Sequence, residues 1–123
     1  MASSRPEAGG EEAGLSFARN GYPPKILRQL RRGHWRVEDS LDLHGMDRIE
    51  AERAVGEFVG RSHQRGLSCV CIVHGRGWGS RDREPVLKGK LRGWLTARGE
   101  VLAFSPAPAA HGGAGAVLVL LKA

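Results

Sequence analysis

The sequence predicts an α/β fold: a two-layer sandwich of order βαβαββ, with a four-stranded mixed sheet, over residues 40–123. Three observations carry that prediction. Leu41-Asp42-Leu43-His44 alternates apolar and polar before Gly45, as a strand with two unlike faces does. Ala51, Val55, Phe58, Val59 and Ser62 then recur at helical spacing. Leu67 to Val73 is apolar at nearly every position, which suits a strand covered on both faces in a parallel sheet.

The remaining elements follow in chain order. Residues 1–14 are rich in Gly, Ala, Ser and Glu without periodicity, and a disordered tail is expected over 1–21. Residues 22–39 form a basic helical extension. Pro23-Pro24 opens a helix over 25–32 that Gly33 ends, leaving Ile26, Leu27 and Leu30 to dock. Asp47 and Glu50 have the spacing of a capping box, so the helix carrying Ala51 to Ser62 begins near Arg48, and Gly66 stops it. His74-Gly75-Arg76-Gly77-Trp78-Gly79-Ser80 is a loop by composition. Pro85 suits the first turn of a helix with the stripe Leu87, Leu91, Trp94 and Leu95, closed by Gly99. Val101 to Phe104 is a third strand, Ser105 to Gly115 a loop, and Ala116 to Leu121 the fourth strand.

Length and composition narrow the class further. A chain of 123 residues that is 41% hydrophobic holds one domain with a real core. The apolar run at Val117–Leu121 is far too short to span a bilayer, and the first ten residues lack the apolar stretch of a secretory signal. Cys69 and Cys71 sit inside an apolar run, which suits core thiols and not a disulfide framework. A soluble monomer in a reducing cytoplasm is expected, with no membrane partner. The net charge of +6 is concentrated. Arg19, Lys25, Arg28, Arg31, Arg32 and Arg36 fall in a stretch without one acid, and Arg76, Arg81, Arg83, Lys88, Lys90, Arg92 and Arg98 outnumber Asp82 and Glu84. Either stretch alone is ordinary solvated surface; two of them flanking a polar motif favour phosphate contacts.

The residue types that carry chemistry cluster by topology. Asp42 and His44 end one strand and His74 ends the next. A right-handed βαβ crossover makes those strands parallel, so both carboxyl ends lie on one edge, where open α/β sheets bind ligands. Histidines as a class pass protons at physiological pH, and a carboxylate can orient one. Glycines let backbone N–H groups approach a phosphate, and Arg76 adds a bidentate anion contact. Together these suit phosphodiester cleavage, by activating a ribose 2′-hydroxyl or by activating water. Asp42 as a turn cap, and either histidine as a backbone-bonded structural group, are the plainer alternatives. Trp78 fits a stacking role or a cover over the sheet equally well. The dinucleotide fingerprint fails at Ser80, and the P-loop's Gly-Lys-Ser/Thr and any zinc-ligand spacing are absent.

At Leu41-Asp42-Leu43-His44-Gly45 with Glu50-Ala51, and again at His74-Gly75-Arg76-Gly77-Trp78-Gly79, the sequence resembles the Smr (small MutS-related) domain. Leu87-Lys88, Trp94-Leu95 and Gly112-Gly113-Ala114-Gly115-Ala116 are similar to its later blocks, and 22–38 to the extension of stand-alone bacterial members. The resemblance implies a fold similar to the C-terminal domain of bacterial translation initiation factor three. It also implies an endonuclease, acting on RNA in stand-alone members, some at stalled ribosomes, and nicking DNA in the MutS-type ones. Carried over, Asp42 and His44 are the expected catalytic residues. The expected nucleic-acid contacts are His74, Gly75, Arg76, Gly77, Gly79 and Lys88, with Arg28, Arg31 and Arg32 of the extension widening the footprint. RNA is favoured over DNA, with the ribosome a candidate partner. A non-catalytic nucleic-acid or ribosome binding module and a DNA-nicking endonuclease of repair or recombination are the alternatives. No cofactor is required by the residues, which leave open whether a divalent ion, Mg2+ or Mn2+, joins Asp42.

Overall fold

The computed structural model describes residues 15–75 and 83–123. Five strands form one mixed sheet: β1 (Phe17–Ala18), β2 (Ser40–Asp42), β3 (Cys69–Val73), β4 (Val101–Pro106) and β5 (Ala116–Leu121). Three helices accompany them: α1 (Lys25–Arg31), α2 (Arg48–Gln64) and α3 (Arg83–Thr96). The strand order is β1-β4-β5-β3-β2. β2 runs parallel to β3, with Asp42 opposite Val73. β5 is antiparallel to both β3 and β4, so β2, β3 and β4 share a direction and their carboxyl ends share an edge.

Burial explains the sequence pattern. In β3, Val70 and Ile72 face α2 and α3, while Cys69 and Cys71 face the α1 side. β5 does the same with Val117, Val119 and Leu121 on one face and Ala116, Leu118 and Leu120 on the other. Both strands are central, which is why they read as nearly unbroken apolar runs. The α2 stripe of Ala51, Val55, Phe58, Val59 and Ser62 is buried as its spacing requires. Its start is a capping box: Glu50 N–H donates to Asp47 Oδ1 at 2.8 Å and Asp47 N–H to Glu50 Oε1 at 3.0 Å. Among the described residues no helix is long and apolar enough to cross a membrane.

Two features differ from the sequence expectation of four strands in two layers. First, α1 covers the second face of the sheet: Ile26 and Leu30 are buried against Cys69, Cys71, Ala103, Leu118 and Leu120, which adds a partial third layer. Second, residues 15–21, expected as part of a tail, are docked, and Phe17–Ala18 pairs with Phe104 and Ala103 as a fifth strand. Leu15 is buried, and Phe17 stacks on Phe104 with ring centroids 5.3 Å apart. Arg19 donates through Nε to Val101 O at 2.9 Å and through Nη2 to Thr96 O and Arg98 O at 3.1 and 3.0 Å. Carbonyls at and just beyond the end of α3 therefore receive a cation, the favourable sign for a helix C-terminus. A two-residue strand has no alternation to detect. Its pairing is set by side chains far away in sequence. β4 also continues through Ser105 and Pro106 into the stretch expected as loop, and 3₁₀ turns occupy Ala109–His111 and Gly113–Gly115.

Candidate functional site

β2 ends at Asp42, two residues short of the expected strand end at His44. Leu43 N–H still donates to Val73 O at 2.9 Å, and the Leu43 side chain is buried in the core beneath α2 and α3. Burying one leucine contributes about 1.5–3 kcal/mol, enough to hold the strand end in place. His44 and Gly45 then turn the chain towards α2, with Gly45 at φ 81°. That left-handed conformation is one that a side chain rarely adopts. Asp42 Oδ1 accepts the His44 backbone N–H at 2.8 Å, an Asx turn. Asp42 and His44 are thus coupled through a turn, not through the pleat of a longer strand, and both side chains are exposed.

The neighbouring strand end is built from the interior. His74 is buried at 2% exposure, with Nδ1 2.7 Å from Gly75 O. The backbone N–H groups of His74 and Gly75 both donate to Gly115 O at 2.9 Å, so the turn before β5 closes on the end of β3. Gly75 has φ 87°, again the glycine-favouring region. His74 therefore anchors the start of the glycine-rich segment; its ring is not presented to solvent as a nucleic-acid contact requires. Arg76, Gly77 and Gly79, with Trp78, lie outside the described residues. Lys88 lies in the first half of α3, the helix that returns from this edge to the amino end of β4.

Arg28, Arg31 and Arg32 are not brought to this edge. α1 packs on β4, β5 and β1, on the sheet face away from α2 and α3. β2 is three strands from β4, roughly 14 Å at about 4.8 Å per strand. All three guanidinium-bearing side chains are exposed, and Arg31 Nη2 reaches Ser16 Oγ at 3.3 Å. They form a separate basic surface.

An open groove of about 410 Å³ runs from the β2–α2 turn along α2, lined by His44, Gly45, Met46, Glu50, Arg53, Ala54 and Glu57. Arg53 and Glu57 went unnoticed in the sequence because charges on the outer face of a helix read as solvation. Their signal is the spacing of Glu50, Arg53, Ala54 and Glu57, one stripe that flanks the buried one. Among the described residues no group of three or more His, Cys, Asp or Glu side chains comes together as a metal site. Burial pushes the Cys69 thiol up to about 12 and raises Cys71 as well, so both stay protonated core groups.

Residues 41–122 match the Smr domain family. A protein of Aliivibrio salmonicida named ribosome rescue factor SmrB is 37% identical over 91% of this chain, and the namesake of Serratia proteamaculans is 33% identical over 91%. The chain spans about 60% of the length of these curated relatives. Among solved structures, YdaL of Escherichia coli, a stand-alone small MutS-related protein, superposes with TM-score 0.76 at 30% identity, over 89% of this chain and 83% of that one. The Smr domain of Thermus thermophilus MutS2 superposes with TM-score 0.61 at 29% identity, over 70% of this chain and all of that one.

Proposed function

The chain belongs to the Smr domain family, and from that premise we propose that it is an endonuclease that cleaves RNA in preference to DNA at the carboxyl edge of β2 and β3. One observation carries the reading. The parallel register of Asp42 with Val73 sets the His44 turn beside the His74-Gly75 strand end, and His44 opens into a groove. In the reaction His44 Nε2 or Nδ1 takes the proton of a ribose 2′-hydroxyl. The 2′-oxygen attacks the adjacent phosphorus, the bond to the 5′-oxygen breaks, and that oxygen takes a proton from solvent water as it leaves, while His44 returns its own to solvent. The products are a 2′,3′-cyclic phosphate and a 5′-hydroxyl. Asp42 acts as a positioning residue, since its carboxylate fixes the backbone from which His44 projects. The segment from Gly75 to Gly79 and Lys88 supply phosphate contacts, and Arg28, Arg31 and Arg32 hold a more distant stretch of the polymer. The relatives named ribosome rescue factor favour the ribosome as the setting, and the substrate proposed there is messenger RNA in the cytoplasm.

The test is cleavage of an end-labelled single-stranded RNA by the full chain, by Asp42→Ala and by His44→Ala. Loss of cutting in His44→Ala with cyclic phosphate ends in the wild type is the expected result. Equal rates in all three reject the assignment, and 5′-phosphate ends replace it with an activated-water route, in which a divalent metal at Asp42 becomes the candidate. Asp42's engagement in the turn and the burial of His74 favour one second reading, a binding module that uses the same edge without cutting. It predicts salt-sensitive retardation of RNA without products.

A further inference from the structure

The groove beside His44 has a charge pattern that a phosphate backbone does not want. Glu50 and Glu57 face it with Arg53 between them, and Met46 and Ala54, both partly buried against the core, give it an apolar floor. Two carboxylates repel a polyanion. They attract a neutral heterocycle that carries N–H donors. Glu50 is committed through Oε1 to the capping box. Among the described residues the side chains of Arg53 and Glu57 enter no hydrogen bond or ion pair, and both are exposed. The groove volume of about 410 Å³ falls in the ordinary range of small-ligand sites.

A carboxylate offers two acceptors side by side and no donor. Of the four RNA bases only guanine presents two adjacent donors, N1–H and N2–H, on its Watson–Crick edge; adenine and cytosine pair their amino group with an acceptor, and uracil has one N–H. Single-stranded bases are read on that edge and stacked on guanidinium planes. We propose that this groove is a base subsite that takes guanine beside the bond to be broken, with Glu57 accepting N1–H and N2–H and Arg53 packing on the ring. That the base lies beside the bond to be broken rests on the nuclease reading; base selection itself does not.

Two measurements on the full chain separate the two ideas. In the first, the four nucleoside 5′-monophosphates are titrated and followed by the amide shifts of residues 44–57. Guanosine monophosphate should bind at least about fivefold tighter than the others, the lower end for one bidentate base contact. Glu57→Ala should abolish that preference, and Glu57→Gln, whose amide offers one donor and one acceptor that any of the four bases can match, should level it. Equal binding of all four, or a guanine preference that survives Glu57→Ala, overturns the subsite. In the second, cut positions are mapped on an RNA containing every dinucleotide step. Cuts next to guanine that redistribute in Glu57→Gln support the proposal, and cutting without base preference overturns it while leaving the nuclease reading intact. Guanine-selective binding without any cutting removes the nuclease and keeps the base site.

Discussion

The two edges of the sheet are both made of very short strands, yet they are finished in opposite ways. At the β1 edge, Phe17–Ala18 is pinned by arginines: Arg19 on carbonyls of Thr96, Arg98 and Val101, Arg92 on Ser16 O at 3.0 Å, and Arg31 on Ser16 Oγ. Arg19 and Arg92 also stand over the Phe17 ring, 5.1 and 5.9 Å from its centroid. At the β2 edge the bonding is done by aspartates in their own turns, Asp39 on Ser40 N–H and Asp42 on His44 N–H. Carboxylates along an exposed edge discourage pairing with another strand and leave a histidine projecting at its end. The lesson concerns charge. Three arginines of the two basic stretches, Arg19, Arg31 and Arg92, bond within the chain at one edge, while the edge where chemistry is expected is acidic.

Variants at the two edges should therefore separate activity from stability. The largest effect is expected from His44→Ala. Loss of a general acid–base lowers the cleavage rate by about 10²–10⁴, and an exposed turn side chain changes unfolding free energy by no more than about 0.5 kcal/mol. Rate and thermal midpoint measured on one preparation check both. A midpoint that falls with the rate makes His44 a structural residue and erases the contrast. Arg19→Met is the counterpart at β1. It removes a charged donor from three partly buried carbonyls, which costs about 2 kcal/mol. The thermal midpoint should drop by several degrees, with the cleavage rate at 25 °C unchanged. A rate loss without a stability loss would instead place Arg19 among the nucleic-acid contacts.

What was legible in the sequence divides along the same line. α2, β3 and β5 are set by strong local periodicity and by the Asp47–Glu50 capping box, and each lies within a few residues of its expected position. β1 was invisible because nothing in Phe17–Ala18 itself demands a strand; Phe104 and the carbonyls around Thr96 supply the demand. The docking of Ile26 and Leu30 was readable, but that it adds a third layer depends on Cys69, Cys71 and Leu118 presenting a second apolar face. At the site, the sequence places Asp42, His44 and His74 at one sheet edge through the parallel crossover. The burial of His74 could not be read from it, because burial depends on how Gly115 closes over the strand end. Arg53 and Glu57 were hidden by looking like solvent-facing charges.

Asp42 sharpens the comparison at a smaller scale. Asp42→Asn keeps an oxygen acceptor for His44 N–H and should retain the turn, whereas Asp42→Ala loses the cap at a cost of about 1 kcal/mol. If Asp42 only positions His44, the Asn variant keeps most of the cleavage rate and the Ala variant loses it. An Asn variant as inactive as Ala shows that the charge itself is used, which brings the metal-assisted route forward.

The smallest expected effect tests whether the acidic edge is stabilising at all. Asp39 sits below its ordinary value of 3.8 because Ser40 N–H and the Arg65 guanidinium, 2.9 Å away, favour its charged form. A depressed carboxylate contributes stability that is complete above its unfolded value and lost as pH falls through the lower folded value. The pair is open to solvent, with side chains 58% and 41% exposed, so that contribution is screened and small. Arg65→Met should therefore raise the Asp39 titration midpoint seen by NMR while leaving the thermal midpoint at pH 7 unmoved. A clear loss of thermal stability would mean that the β2 edge depends on this ion pair as the β1 edge depends on Arg19, and the two edges would then be fastened by the same device.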